Sequence, residues 1–180
     1  MPILRERCVP VEGSSAVLIG MPGSGKSTIG RMISRKNGYA WVDTDYLLEA
    51  WWGMPLQAIR DRLGLDNFLA AEEELVSSLK LYRTVISTGG SVVYSVRAMG
   101  HLTELGRVIH LQAELSTIKT RLGNASSRGL AMDAGQSIED IYNQRKPLYE
   151  KYAELTVETD IYKPEQSVET IISWLAEQKN

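Results

Sequence analysis

Ala16-Val17-Leu18-Ile19-Gly20-Met21-Pro22-Gly23-Ser24-Gly25-Lys26-Ser27-Thr28 is the stretch that decides the fold. Its first four residues are apolar and partly β-branched, which predicts a buried strand. The next eight satisfy G-x-x-x-x-G-K-[ST], and a helical pattern from Ser27 to Lys36 follows. Glycines at such a turn let the backbone curl with its N–H groups inward, and a side chain at Gly23 or Gly25 would obstruct the curl. Lys26 then sets a point charge on the β- and γ-phosphates of a nucleotide, while the Ser27 hydroxyl can ligate Mg²⁺. The helix entered near Lys26 adds its free amides and dipole. Strand, cradle and helix in this order point to a nucleotide phosphate site lined by Gly23, Ser24, Gly25, Lys26, Ser27 and Thr28.

Outward from this stretch, short apolar runs alternate with longer helical patterns. Ala40-Trp41-Val42, Val85-Ile86-Ser87, Val108-Ile109-His110-Leu111 and Leu155-Thr156-Val157 are further strand candidates. Asn67 to Leu81, Glu114 to Leu122 and Ser137 to Tyr152 have helical length, and Val168, Ile171, Ile172 and Leu175 mark a last helix by their i, i+3, i+4, i+7 spacing. Such alternation favours an α/β fold, a parallel sheet with helices on both faces, and right-handed crossovers restrict it to a few doubly wound topologies. No internal repeat or linker divides the 180 residues, so they read as one domain with its core over 16–176. Residues 1–13 form an extension ahead of the first strand. Residues 124–136, rich in small residues with Arg128 as their only basic side chain, are long for a connection in a compact domain and read as a lid.

Composition narrows the function. Apolar residues at 43% and charged residues at 23% are ordinary for a globular domain and argue against disorder. The 20 basic and 22 acidic residues nearly balance, which excludes a nucleic-acid binder acting through bulk positive charge. No apolar stretch is long enough to span a membrane, and Arg5, Glu6 and Arg7 stand where a secretory signal would turn apolar. A single cysteine, Cys8, has no partner for a disulfide. The expectation is a cytoplasmic, monomeric domain with no membrane or nucleic-acid partner.

Among proteins with this phosphate cradle, a GTPase requires an N-K-x-D base-reading motif, which is absent, and Asp61-Arg62-Leu63-Gly64 sits in a helical pattern that ends at Gly64. Motor and transporter ATPases carry a Mg²⁺-holding acid at the end of a later strand. Here those strands end in Thr88-Gly89-Gly90 and Leu111-Gln112. The acid pair at a strand end is Asp43-Thr44-Asp45, where ligands of open α/β sheets collect, so the pair is a site candidate, with a helix cap by Asp43 or Thr44 as the lesser alternative.

Taken together, Gly20 to Gly30 (GMPGSGKSTIG), Asp43-Thr44-Asp45, Thr88-Gly89-Gly90, Arg128 and Arg145-Lys146-Pro147-Leu148-Tyr149 resemble the shikimate kinase family, in order, over about Ala16 to Ile172. The resemblance implies a P-loop three-layer sandwich, its five-stranded parallel sheet in the order 2-3-1-4-5, with an acceptor-binding region near 44–80. It implies ATP-dependent phosphorylation of a hydroxyl on a small carboxylated polyol, with ATP and Mg²⁺ as cofactors and shikimate, converted to shikimate 3-phosphate, as the nearest acceptor. Carried across by position, Lys26 and Ser27 would hold phosphates and Mg²⁺, and Asp43 a metal-bound water. Asp45 would meet the acceptor hydroxyl and assist its deprotonation, and Gly89 and Gly90 would bring amides to the acceptor. Arg128 would approach the transferring phosphoryl group, Arg145 the acceptor carboxylate, and Arg121 the adenine ring. These roles also make sense unaided, because phosphoryl transfer is mostly positioning and charge neutralisation.

The acceptor half departs from the family pattern. Leu69 follows Phe68 where the family has a carboxylate-binding arginine, Ser91 replaces the third glycine of a triplet, and Gly129 replaces a proline after Arg128. A related kinase for another hydroxy acid or sugar acid, or an ATP-binding module without phosphotransfer, therefore stands beside the main reading. His110, inside an apolar strand, reads as a packed histidine, and no His/Cys cluster suggests zinc. Trp51-Trp52 reads either as acceptor-pocket lining or as packing of its helix on the sheet, and Glu72 to Glu74 as a solvated helix face.

Overall fold

Five strands align in a single parallel sheet: β1 Ser15–Ile19, β2 Ala40–Asp43, β3 Thr84–Ser87, β4 Gly106–Gln112 and β5 Leu155–Glu158. Their order is β2-β3-β1-β4-β5, as the resemblance implies, with the glycine-rich stretch leaving the central strand. This architecture comes from a computed structural model that describes residues 14–123, 131–132 and 135–178. The N-terminal extension and Arg128 lie outside the described residues.

β1 is buried throughout, as a central strand covered on both faces must be. Strand alternation sends Ala16 and Leu18 to one face, against Ile29 and Ile33 of α1 (Lys26–Asn37) and Ile171 of α8 (Pro164–Glu177). Val17 and Ile19 go to the other face, where Val76 of α4 (Leu65–Ser78), Leu102 of α5 (Val96–Leu105), Ile118 of α6 (Leu115–Leu122) and Ile141 of α7 (Ile138–Tyr152) join them. A third apolar cluster, Leu48, Ile59, Phe68, Leu75 and Ala131, ties together α2 (Thr44–Trp52), α3 (Leu56–Leu63) and α4 beside the sheet.

Local sequence sets the helix ends. α3 stops at Gly64, whose φ of 73° suits glycine, as the reading of Asp61 to Gly64 requires. α7 starts with a capping box in which Ser137 and Asp140 each accept from the other's end of the first turn. α5 has no counterpart among the expected helices, although Ser95 caps it by accepting from the Ala98 amide. Two further expectations change. Trp52 packs into the third cluster, against other helices and not the sheet, and Trp51 is 73% exposed. Glu72 is buried rather than solvated, because it shares a face of α4 with Phe68, Leu75 and Val76 at i−4, i+3 and i+4.

Candidate active site

Gly23 and Gly25 have φ values of 81° and 101°, the left-handed conformations that let the loop fold back over the start of α1. Inside this curl the Lys26 ammonium donates to the carbonyls of Gly20 (2.8 Å) and Met21 (2.9 Å). Burial pushes its pKa down to about 8, opposed by the nearby Asp45 and Asp43 carboxylates. The cradle residues Gly23 to Thr28, with Asp43, Asp45 and Arg121, line a cavity of about 520 Å³. Its far wall is Tyr162 and Pro164, just after β5. The Arg121 guanidinium is held there by donation to the Gly23 carbonyl (3.1 Å) and the Thr159 carbonyl (2.7 Å).

Asp43 combines the two roles its sequence position allows. Its Oδ1 caps α2 by accepting from the Asp45 amide (3.1 Å), and its Oδ2 accepts from the Ser27 hydroxyl at 2.6 Å. A hydroxyl and a carboxylate in contact beside a phosphate cradle are hard oxygen donors of the kind Mg²⁺ takes alongside phosphate oxygens and water. No cluster of three or more metal-ligating His, Cys, Asp or Glu side chains occurs among the described residues.

A second cavity, of about 350 Å³, opens on the other side of Asp45 and Pro22, which line both. Leu56, Phe68, Gly90, Ser91, Ala131 and Arg145 are among its walls. Arg145 and Tyr149 lie four residues apart on one face of α7, so the R-x-P-L-Y element places Arg145 in the cavity wall and Tyr149 behind it. Tyr149 donates its hydroxyl to the Gly90 carbonyl (2.6 Å) and stacks on His110, ring centroids 5.1 Å apart. Burial, reinforced by Lys26 and Lys146, lowers the His110 pKa to about 4, so this histidine is a neutral packing group, as expected. Arg145 is fully buried: Nε donates to the Tyr94 hydroxyl (3.2 Å), Nη2 to the Ala131 carbonyl, and Nη1 has no partner among the described residues. A Cβ on Gly90 would stand 3.1 Å from that Nη1, so the unpaired group faces the glycine wall.

The two expected glycines separate. The Gly89 amide donates to the Thr44 hydroxyl (2.9 Å), leaving Gly90 as the glycine on the cavity. Gly89 instead makes room for carboxylates, since a Cβ there would stand 2.1 Å from Glu72 Oε1 and 2.6 Å from Asp45 Oδ1. Glu72 is the site residue that sequence reasoning missed. Its Oε2 accepts from Ser91 (2.6 Å), and burial, reinforced by Asp45, raises its pKa to about 7. Asp45 is raised to about 6, first by burial and then by Asp43. Leu69 packs at the edge of the third cluster, next to the cavity-lining Phe68.

A lysine-bearing phosphate cradle on the central strand, joined through one carboxylate to a second cavity with a buried arginine in its wall, defines a P-loop phosphotransferase that passes a phosphoryl group to a small acceptor. The family model described as shikimate kinase matches residues 22–176, and the chain belongs to that family. A shikimate kinase of Thermodesulfovibrio yellowstonii is 34% identical over 159 residues, 87% of this chain and 91% of that protein. One from Chlorobium chlorochromatii is 34% identical over 171 residues, 89% and 90% of the two chains. Among solved structures, the shikimate kinase of Acinetobacter baumannii in complex with shikimate superposes with a TM-score of 0.82 at 24% identity, covering 92% of this chain and 94% of that one. A gluconokinase of Sinorhizobium meliloti shares the fold more distantly, with a TM-score of 0.51 at 18% identity over 92% and 93% of the chains.

Proposed function

We propose that this protein transfers the γ-phosphoryl group of ATP to a ring hydroxyl of shikimate, giving shikimate 3-phosphate and ADP. The observation that carries the reading is Asp45, which lines both cavities and lies where a phosphoryl group would cross between them. ATP fits the larger cavity, its phosphates in the Gly23 to Thr28 cradle and its base between Arg121 and the Tyr162–Pro164 wall. Lys26 neutralises charge on the transferring group. Ser27, and Asp43 through a bound water, would hold Mg²⁺, which would supply neutralisation of the β- and γ-phosphates. Asp45 accepts a hydrogen bond from the attacking hydroxyl and takes up its proton as the oxygen–phosphorus bond forms, and the bond to the ADP oxygen breaks. The Nη1 of Arg145 takes the acceptor carboxylate through a charge-assisted hydrogen bond. The region 44–80 supplies half of the acceptor wall, and Arg128, by the resemblance, approaches the phosphoryl group. We further propose a cytoplasmic monomer with no nucleic-acid or membrane partner, supported by the balanced charge; no described helix is long and apolar enough to cross a membrane.

A second reading, a kinase for another hydroxy acid or sugar acid, is favoured by Leu69 and Ser91, which stand where the family has an arginine and a glycine. Arg145 is the acceptor cavity's one cationic wall residue among those described, against the carboxylates of Asp45 and Glu49. Coupled ADP release with Mg²⁺-ATP, measured over shikimate, other hydroxy acids and sugar acids, decides between the two. Shikimate as the best acceptor supports the main reading; turnover confined to a different acid replaces it with the second.

A further inference from the structure

Ala131 is a wall of the acceptor cavity that belongs to no helix or strand. It is nevertheless 7% exposed, inserted among Leu48, Ile59, Phe68 and Leu75. Two arginines hold the backbone at this point. Arg145, from α7, donates through Nη2 to the Ala131 carbonyl. Arg60, from α3, donates through Nη2 to the next carbonyl, that of Met132, at 2.6 Å. The chain is therefore grasped at consecutive carbonyls by cations from two separate elements.

The arrangement divides Arg145 between two tasks. Nη2 supports the wall, while the buried Nη1 lies beside Gly90 with no partner among the described residues. A guanidinium is a rigid plane, so any shift of the Ala131 carbonyl also turns Nη1. The Arg60 bond fixes the neighbouring peptide and so resists that shift.

We propose that Arg60 is a positioning residue for the acceptor: through the Met132 carbonyl it holds Ala131 as a cavity wall and keeps Arg145 Nη1 aimed at the acceptor's anionic group. The proposal rests on the reading of this cavity as the acceptor site. In this chain Arg60 takes up, from the backbone side, part of the anchoring that Leu69 cannot supply.

The test uses Arg60→Met, which keeps the apolar stem and removes the donors, and Arg60→Lys, which keeps the charge and one donor group. Arg60→Met is expected to raise the shikimate KM by about three- to tenfold, the range of one hydrogen bond. It should leave kcat within about twofold and the ATP KM unchanged, as loss of uniform acceptor binding requires. Arg60→Lys should recover part of the KM, and selectivity for shikimate over a bulkier ring acid should fall in Arg60→Met. Hydrogen exchange of the peptide that begins at Ala131 should quicken in resting Arg60→Met. Unchanged exchange there overturns the proposal, as does a lowered Tm with both KM values unmoved, or a rise in both KM values together. If the unmodified protein leaves shikimate untouched, the functional reading fails, and the exchange measurement, which needs no acceptor, still decides the role of Arg60.

Discussion

Lys26 rests on the carbonyls of its own cradle, so its ammonium is already desolvated and oriented before any phosphate arrives. Lys26→Ala should therefore lower kcat by about two to three orders of magnitude, on the scale of an oxyanion-hole donor, with the fold retained. Near-normal turnover in a folded Lys26→Ala protein would remove the cradle from the chemistry. Leu69→Arg belongs to the same scale. A restored charge-assisted bond to the acceptor carboxylate should lower the shikimate KM by about tenfold or more while kcat changes little. Saturation kinetics on both proteins at fixed Mg²⁺-ATP checks this. At this scale the cradle and the acid pair were legible because motif chemistry fixes residue type and spacing at once. Glu72 was not, because three consecutive glutamates look like a solvated face. The helical period does contain the signal, since Glu72 alone of the three falls in register with Phe68, Leu75 and Val76.

The loop leaving β3 works by what it lacks. Gly89 leaves space that two carboxylates fill from opposite elements, Asp45 from α2 and Glu72 from α4. Gly89→Ala should displace both, and with Asp45 off its position kcat should fall by about 10²-fold, the cost of misplacing a reacting group by an ångström. Circular dichroism and steady-state rates on the same preparation separate this from unfolding; unchanged kcat would mean that Asp45 needs no such space. The strands and the helices α1, α4, α6, α7 and α8 could be read from apolar runs and periodicity, to within a few residues at their ends. α5 escaped, although Ala98, Met99 and Leu102 face the core, because a short ten-residue helix with Gly100 inside it gives a weak pattern. The Arg60–Met132 bond joins residues 72 apart in sequence through a backbone oxygen, and no residue pattern encodes such a contact.

Across the whole molecule, the buried ionisable groups make stability depend on pH in opposing directions. Glu72 titrates near 7 when folded against an ordinary value of 4.5, so the folded state holds a proton that the unfolded chain has released. Its contribution is complete below about 4.5 and is lost as pH rises through about 7. His110, lowered from 6.5 to about 4, acts oppositely, its contribution disappearing as pH falls from 6.5 towards 4. Asp45, near 6, follows Glu72 but at lower pH, and Lys26, near 8, adds stability only as pH rises further. Between pH 6.5 and about 7 Glu72 should dominate these four. The Tm of the nucleotide-free protein should fall across that window, and Glu72→Gln, which can still accept from Ser91, should flatten the slope. An equal slope in both proteins would refute the assignment.

The pairing of β1 also has a consequence for how the chain assembles. β1 bonds to β3 and β4, with Ala16 opposite Val85 and Arg107, so its sheet partners lie about seventy and ninety residues downstream. The first strand made is thus among the last to be secured, and the loss of chain freedom on closing those long loops precedes the bonds that compensate it. During refolding, the curl of Gly20 to Lys26 has no fixed strand to leave from until the middle of the chain has collapsed around it. Nucleotide affinity should consequently arrive in one late step together with the completed sheet, and stopped-flow refolding in the presence of a fluorescent ATP analogue would time the two.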